Sequence, residues 1–182
     1  MTMNSIPLHL EMGSHLHVLL PCLLRTRGAV LELGCGCYST AILSLYSQSR
    51  YCRTVETNSF WLQKVKNFFP NWCAVTEWQG HDFRLVECYR TAMLEDRFWD
   101  VVFIDQKADE RAESAYRLRT RSRFTIIHDT ERDYLDEILN GYRYRYDFRE
   151  IHPHTSVGSD TDDLVWLAEH IQCMFPPHGA VQ

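Results

Sequence analysis

The chain has 182 residues, 45% of them hydrophobic and 13% aromatic, which suffices for one substantial core but is short for two independent domains. Its formal charge of −5 argues against a general grip on nucleic acid, because phosphate binding draws its affinity from positive surface. No secretory signal pattern and no apolar run long enough to span a bilayer is found, and seven scattered cysteines without a C-x-x-C pair fit reduced thiols. We therefore predict a single domain over residues 1–182 that lies in the cytoplasm, away from membranes.

The first half of the chain alternates helical segments with short apolar strands. The predicted elements are a helix at 16–24 within an N-terminal segment 1–27, a strand at 29–33, a helix from 39 to 45 or 47, a strand at 51–55 and a helix at 60–69. Gly34 ends the first strand, Glu56 follows the second, and Pro70 terminates the third helix. Residues 74–78 and 83–88 both alternate like strands, and we favour the second as the third core strand.

The second half continues the alternation and then changes character. The predicted elements are a strand at 99–104, a helix at 109–118, a strand at 124–127, a helix starting over 134–139, and a hairpin of strands at 142–151 and 163–167 joined by a polar loop. This order predicts an α/β fold with one doubly wound, mostly parallel, seven-stranded sheet and a C-terminal antiparallel hairpin. Functional groups are then expected at the carboxyl ends of the strands.

Four arginines recur at every second position from Arg117 to Arg123. In an extended segment they would share one face and could clamp a phosphate or a carboxylate, whereas in a helix they would spread around it. The interpretation that we favour is a solvated flank.

Two glycines, Gly34 and Gly36, stand at the turn from the first strand to the next helix, where the missing Cβ lets a ligand lie against the backbone. Glu56, at the end of the next strand, is placed to accept both hydroxyls of a ribose. The third glycine of a dinucleotide fingerprint is replaced by Ser39, and Glu32 would repel a pyrophosphate. An acid at residue 32 suits a ligand with a sulfonium and an ammonium group instead.

At this point the sequence resembles the class I S-adenosylmethionine (SAM)-dependent methyltransferases. Their first motif, acid-x-Gly-x-Gly, matches Glu32-Leu-Gly-Cys-Gly36, their second acid matches Glu56, and the strand ending at Asp105 resembles their fourth motif. The resemblance implies a SAM-dependent methyltransferase, with a small or medium-sized acceptor that is methylated through oxygen. The cofactor-binding residues are then expected to be Glu32, Gly34, Cys35, Gly36, Ser39, Glu56 and Asp105. His15, beside the N-terminal helix, is a further candidate that could close over the cofactor's carboxylate, and the alternative is a purely structural role.

Asp105, His128 and Asp129 end two neighbouring strands and are the candidates for catalysis. The arrangement is similar to the catechol-type and sugar-type O-methyltransferases, which implies that Asp105 and Asp129 hold Mg²⁺, with Thr130 or Glu131 completing the set. Alternatively His128 acts as a general base, or is merely capped by backbone.

Other functions remain open. One alternative is a SAM-binding enzyme that cleaves or otherwise consumes SAM without methyl transfer, and another is a non-catalytic binding protein of the same fold. A nicotinamide enzyme is disfavoured by the glycine pattern. The sequence predicts a small-molecule partner and allows a homodimer, and nucleic acid is not an expected partner.

Overall fold

The structure, a computed structural model, describes residues 13–68, 81–131 and 134–176. Its helices are α1 Leu16–Arg25, α2 Ser39–Tyr46, α3 Ser59–Phe68, α4 Ala108–Leu118, α5 Tyr134–Gly141 and α6 Val165–Met174. Its strands are β1 Val30–Leu33, β2 Cys52–Glu56, β3 His81–Leu85, β4 Trp99–Ile104, β5 Ser122–His128, β6 Tyr144–Phe148 and β7 Thr155–Ser159.

The strands of the described residues form one seven-stranded sheet in the order β3-β2-β1-β4-β5-β7-β6. The first five strands are parallel to one another, and β7 runs antiparallel to both β5 and β6. The chain moves outward from β1 to β3 and then crosses back to β4, so the strand order reverses between β1 and β4. Such a switch point leaves a crevice at the carboxyl ends of the strands. The predicted fold class is confirmed.

Helices cover both faces of the sheet. On one face α1, α2 and α6 pack against alternate strand residues such as Val30, Val101 and Phe124. On the other face α4 and α5 pack against the intervening residues, among them Leu31 and Val102. Alternation along each strand sends successive side chains to opposite faces, and because helices cover both faces, the central strands are apolar at most positions.

The predicted position of the second strand of the hairpin was wrong. Residues 163–167 do not form it, because α6 begins at Val165, and the strand lies at Thr155–Ser159 inside the predicted polar loop. Leu164, Leu167 and Ile171 are buried at helical spacing. β7 lies between two other strands and is buried throughout with small side chains.

Elsewhere the predicted elements agree with the structure to within a few residues. The third core strand overlaps the second of the two alternatives, and residues 74–78 lie outside the described residues, as do residues 1–12 of the N-terminal segment. No helix among the described residues is both long and apolar enough to cross a membrane. The six cysteines within the described residues have free thiols.

The arginine series does not form one face. Arg117 belongs to α4, Arg119 to a 3₁₀ turn and Arg123 to β5. These three guanidiniums pair with acids of neighbouring segments, namely Glu95, Asp160 and Asp162. They therefore join segments of the fold, and their ionic partners are already within the chain.

Candidate active site

The loop after β1 contains two glycines with different roles. Gly34 has a positive φ of 85°, and a Cβ there would come within 2.5 Å of the Asp105 carbonyl oxygen, so Gly34 is required by the close approach of the end of β4. Among the described residues, a Cβ at Gly36 would meet only Ser39 Oγ within 4 Å, at 3.1 Å. As far as these residues go, the space beside Gly36 is otherwise open and leaves room for a ligand against the backbone.

Glu56 ties this loop to the end of β2. Its Oε2 accepts a hydrogen bond from Cys35 N at 3.0 Å, and its Oε1 accepts from Thr57 N and Asn58 N at 2.7 and 2.8 Å. Trp61 of α3 donates from Nε1 to the Cys35 carbonyl at 2.6 Å, which fixes the loop from its other side. From the backbone of the described residues, Oε2 of Glu56 thus receives one of the two hydrogen bonds that it can accept.

Glu32 lies beneath the loop and is fully buried. Its Oε2 accepts hydrogen bonds from Thr40 Oγ1 at 2.8 Å and Thr54 Oγ1 at 2.6 Å, and Thr40 Oγ1 in turn accepts from Gly36 N at 2.9 Å. Burial raises the pKa of Glu32 to about 7, although the hydroxyls of Ser39, Thr54 and Thr40 oppose the shift. Oε1 receives no well-formed hydrogen bond among the described residues. Glu32 therefore supports the glycine loop through Thr40.

The hydrogen bonds continue from Glu32 to a histidine that the sequence analysis did not single out. Thr54 Oγ1 lies 2.8 Å from His81 Nε2, and His81 Nδ1 lies 3.1 Å from Ser44 Oγ. Burial lowers the pKa of His81 to about 3, so the ring is neutral near pH 7. We call Glu32, Thr40, Thr54, His81 and Ser44 the hydroxyl cluster.

The three predicted catalytic residues meet at the ends of β4 and β5. Asp105, His128 and Asp129 each offer one ligand atom, and these atoms lie within 4.8 Å of one another. His128 is buried, while the carboxylates of Asp105 and Asp129 are 28% and 34% exposed. Asp129 has a positive φ of 55°, a conformation that aspartate tolerates better than most residues. The convergence expected from the strand ends is therefore present.

The sequence analysis missed Arg111, which crosses this group from α4. Its guanidinium is buried, and Nη2 lies 3.2 Å from Asp105 Oδ1 and 3.1 Å from Asp129 Oδ2. Nη1 donates to the His128 carbonyl at 2.7 Å and to Asp129 Oδ2 at 3.1 Å, and Nε donates to the Gln106 carbonyl at 2.8 Å. These contacts engage all five N–H groups of the guanidinium. We call Arg111, Asp105, Asp129 and His128 the arginine cluster.

Both ring nitrogens of His128 are engaged. Ser14 Oγ donates to the Pro153 carbonyl at 2.7 Å, so it accepts from His128 Nε2, which is 3.1 Å away, and this assigns a proton to Nε2. Nδ1 lies 3.2 Å from Asp105 Oδ1. A histidine held in this way is poorly placed to take a proton from an acceptor, so the geometry favours Asp129 over His128 for that role.

His15 packs on the inner side of the arginine cluster. Its ring centroid lies 4.8 Å from those of both Phe103 and His128, and neither ring nitrogen has a hydrogen-bond partner among the described residues. Burial, followed by the charges of His128 and His17, lowers the pKa of His15 to about 3. The neutral ring could donate one hydrogen bond to a ligand carboxylate, but it would not form an ion pair with it.

The structure thus gathers the predicted site residues into two adjoining groups. Glu32, Gly34, Cys35, Gly36, Ser39 and Glu56 surround the first loop, and Asp105, His128 and Asp129, with His15 beside them, lie across the switch point. Gly34 joins the two groups through its contact with the Asp105 backbone. Their assignment to cofactor and catalysis stays a prediction.

Comparison with known proteins identifies the fold. No family model and no curated protein sequence matches the chain. Among solved structures, the chain is similar to a Klebsiella pneumoniae protein classed as an O-methyltransferase, with a TM-score of 0.61 and 15% identity over 87% of this chain and 83% of that one. It is also similar to the N-terminal domain of human METTL16 in complex with SAH, with a TM-score of 0.60 and 12% identity over 87% and 73% of the two chains.

A third match is WbdD, with a TM-score of 0.56 and 16% identity. The match covers 81% of this chain but only 41% of the WbdD chain. The shared architecture is that of the class I SAM-dependent methyltransferases, as the resemblance of the glycine loop predicted.

Proposed function

We propose that the protein is a SAM-dependent methyltransferase that acts on a small or medium-sized acceptor through oxygen. The observation that carries the proposal is the loop at the switch point, where the described residues leave space beside Gly36 and where Glu56, from the neighbouring strand, fixes the backbone of the loop at Cys35. METTL16, which shares the fold, was determined in complex with SAH, and the Klebsiella protein is classed as an O-methyltransferase.

The residues present fit SAM at this place. Gly36 offers backbone without a Cβ in the way, and Glu56 Oε2 accepts one backbone hydrogen bond and has a second lone pair that a ribose hydroxyl could use. Glu32 Oε1 is a buried oxygen beneath the loop that receives no well-formed hydrogen bond from the described residues. A positive ligand above the loop would favour the charged form of Glu32. SAM supplies a methyl group already activated by its sulfonium, so the protein must chiefly position the acceptor and accept its proton.

Asp129 is our candidate for the group that accepts this proton. Its carboxylate is the most exposed of the arginine cluster, and Arg111 holds it in place through Oδ2. A polar cavity of about 270 Å³ is lined by the residues that follow Asp129 in the chain and by parts of α5, β6 and β7, and Asp129 itself is not among its lining residues. Its lining residues are Thr130, Glu131, Asp136, Arg145, Arg149, His154 and Ser156. We propose that a small polar acceptor is held at this cavity.

The first test is calorimetric titration of the protein with SAM, SAH and NAD. We expect SAM and SAH to bind and NAD not to bind. Glu56→Gln should lower the affinity for SAM by about tenfold or more, which is the usual loss when a hydrogen bond to a charged group is removed. Glu113→Gln, in an exposed ion pair on α4, is the matched control and should bind like the wild type. Binding of NAD alone, or equal SAM affinity in Glu56→Gln, would show that the site is assigned wrongly.

The second test is product analysis with isotope-labelled SAM and a panel of small hydroxylated compounds. A methyltransferase yields SAH in a one-to-one ratio with methylated acceptor. Breakdown of SAM without a methylated product would support the alternative of an enzyme that consumes SAM without methyl transfer. The absence of turnover with every compound would support the alternative of a non-catalytic binding protein.

A further inference from the structure

The arginine cluster contains the two acids at which the resemblance to metal-dependent O-methyltransferases implies Mg²⁺. Judged by spacing alone, Asp105, His128 and Asp129 would fit a cation, since their ligand atoms lie within 4.8 Å of one another. The guanidinium of Arg111 nevertheless contacts one oxygen of each acid at 3.1–3.2 Å. The cluster therefore already holds a cation, supplied by the chain.

We infer that Arg111 replaces the divalent cation in this cluster, so that Asp105 and Asp129 are positioned by a guanidinium and the site does not take Mg²⁺. Arg111 is a positioning residue, because its five N–H groups are all engaged within the chain and none is left for a substrate. The inference deepens the proposed function, on which its catalytic meaning rests.

Charge supports this inference. Two carboxylates form a −2 site that attracts a divalent cation, and one guanidinium reduces it to −1 while adding a positive charge within contact distance. Mg²⁺ prefers carboxylate oxygens at 2.0–2.1 Å in an octahedral set and gives up its waters reluctantly. To bind here it would displace the buried guanidinium of Arg111 from two acids and two backbone carbonyls.

The other oxygen ligands that were expected for the metal are engaged elsewhere. Thr130 Oγ1 accepts a hydrogen bond from Ser156 Oγ at 3.0 Å. Glu131 Oε1 accepts from His154 N and lies 3.3 Å from His152 Nε2. Both side chains thus face β7 and the residues before it, and they do not complete a coordination shell with Asp105 and Asp129.

The inference is tested by Mn²⁺ binding, measured from the loss of the free-ion signal in electron paramagnetic resonance. We expect the wild type and Asp129→Asn to bind Mn²⁺ equally weakly, because the cluster of the wild type offers no site for the ion. Arg111→Met, which takes away the guanidinium but keeps an unbranched side chain, should bind Mn²⁺ at least about tenfold more tightly than the wild type, because it restores the −2 charge. Adding Asp129→Asn to Arg111→Met should abolish that gain.

Two further variants serve as controls. Arg117→Met removes a guanidinium from the same helix that pairs with Glu95 instead, and it should gain no Mn²⁺ binding. Arg111→Gln, which retains donors for the Gln106 and His128 carbonyls, takes the place of Arg111→Met if circular dichroism shows the latter to be unfolded.

Wild-type binding of Mn²⁺ that depends on Asp129 would overturn the inference, as would a folded Arg111 variant with no gain in binding. Titration with SAM of the same preparations is independent of both results. The SAM titration tests the proposed function and the Mn²⁺ measurement tests this inference, so a failure of one can be distinguished from a failure of the other.

Discussion

Two groups of acids lie at the same edge of the sheet, and the chain holds them by different means. In the hydroxyl cluster, Glu32 is fully buried and its polar partners are neutral hydroxyls, so burial raises its pKa to about 7. In the arginine cluster, two partly exposed acids share one buried guanidinium. The first group accommodates an acid whose charge can change near neutral pH, and the second holds its acids through a permanent positive charge.

The difference matters for a reaction that consumes a positive donor and leaves a neutral product. Beneath the glycine loop, a carboxyl without a protein cation can respond to the charge of a ligand. Beyond the switch point, Asp105 and Asp129 are each held by the guanidinium of Arg111, so we expect their positions to depend little on a bound ligand. We propose that the first cluster responds to the ligand charge while the second preserves its geometry.

Removing the guanidinium from the arginine cluster should have the largest effect. Arg111→Met leaves two neighbouring carboxylates without their cation. Breaking a buried ion pair from one side typically costs about 3–5 kcal/mol, and because these two acids are partly exposed we expect a loss near the lower end of that range. Urea denaturation at pH 7 should report this loss in the free energy of unfolding. Asp129→Asn, which leaves Arg111 paired with Asp105, should lose less, and equal losses in the two variants would contradict the shared role of Arg111.

The pH dependence of stability should distinguish the hydroxyl cluster. The pKa of Glu32 is about 7 in the folded chain and near 4.5 when unfolded, so the unfolded chain loses its proton first. The favourable contribution of protonated Glu32 is therefore complete below pH 4.5 and is lost as the pH rises through 7, by about 3 kcal/mol in total. Glu32→Gln should remove this loss, which urea titrations from pH 5 to pH 8 would measure.

The difference between wild type and Glu32→Gln is the quantity to compare. His81 has a lowered pKa of about 3, so its contribution changes in the opposite sense and is lost as the pH falls below about 6.5. His81 is present in both proteins, and Asp105, whose charge also raises the pKa of Glu32, is likewise unchanged. A difference that stays flat across this range would show that Glu32 does not titrate near neutrality.

Most of the fold followed from the sequence because strand and helix periods, glycines and strand-end acids are local signals. The last strand was misplaced because β7 is buried by its central position, although its residues Thr155–Ser159 are small and mostly polar. Residues 163–167 alternate over too short a stretch to distinguish a strand from the start of a helix. The burial of Leu164, Leu167 and Ile171 shows the helical period.

The site was predicted in part for a similar reason. Asp105, His128 and Asp129 follow strand ends and could be placed by topology, whereas Arg111 lies in a charged helix that reads as a surface element. A signal was available, because Arg111, Ser114, Ala115 and Leu118 form one buried face at spacings of three and four. His81 gave no comparable signal, since its role depends on Thr54 and Ser44, which are distant in sequence.

The smallest expected effect comes from separating the two ends of the hydroxyl cluster. Thr54→Val keeps the shape of the side chain but removes the hydroxyl between Glu32 Oε2 and His81 Nε2. Losing the hydroxyl that links these two buried groups should cost about 1–2 kcal/mol in the free energy of unfolding, although Thr40 still donates to Glu32 Oε2. The Thr54 hydroxyl lowers the pKa of Glu32, so its loss should raise that pKa further and make the variant relatively less stable at pH 8 than at pH 5.

Thr91→Val, at an exposed position, is the matched control and should change stability by less than about 0.5 kcal/mol at either pH. A loss for Thr54→Val that is the same at both pH values would mean that the hydroxyl serves packing and local hydrogen bonding alone, and the charge of Glu32 would then be governed by its burial and by Thr40.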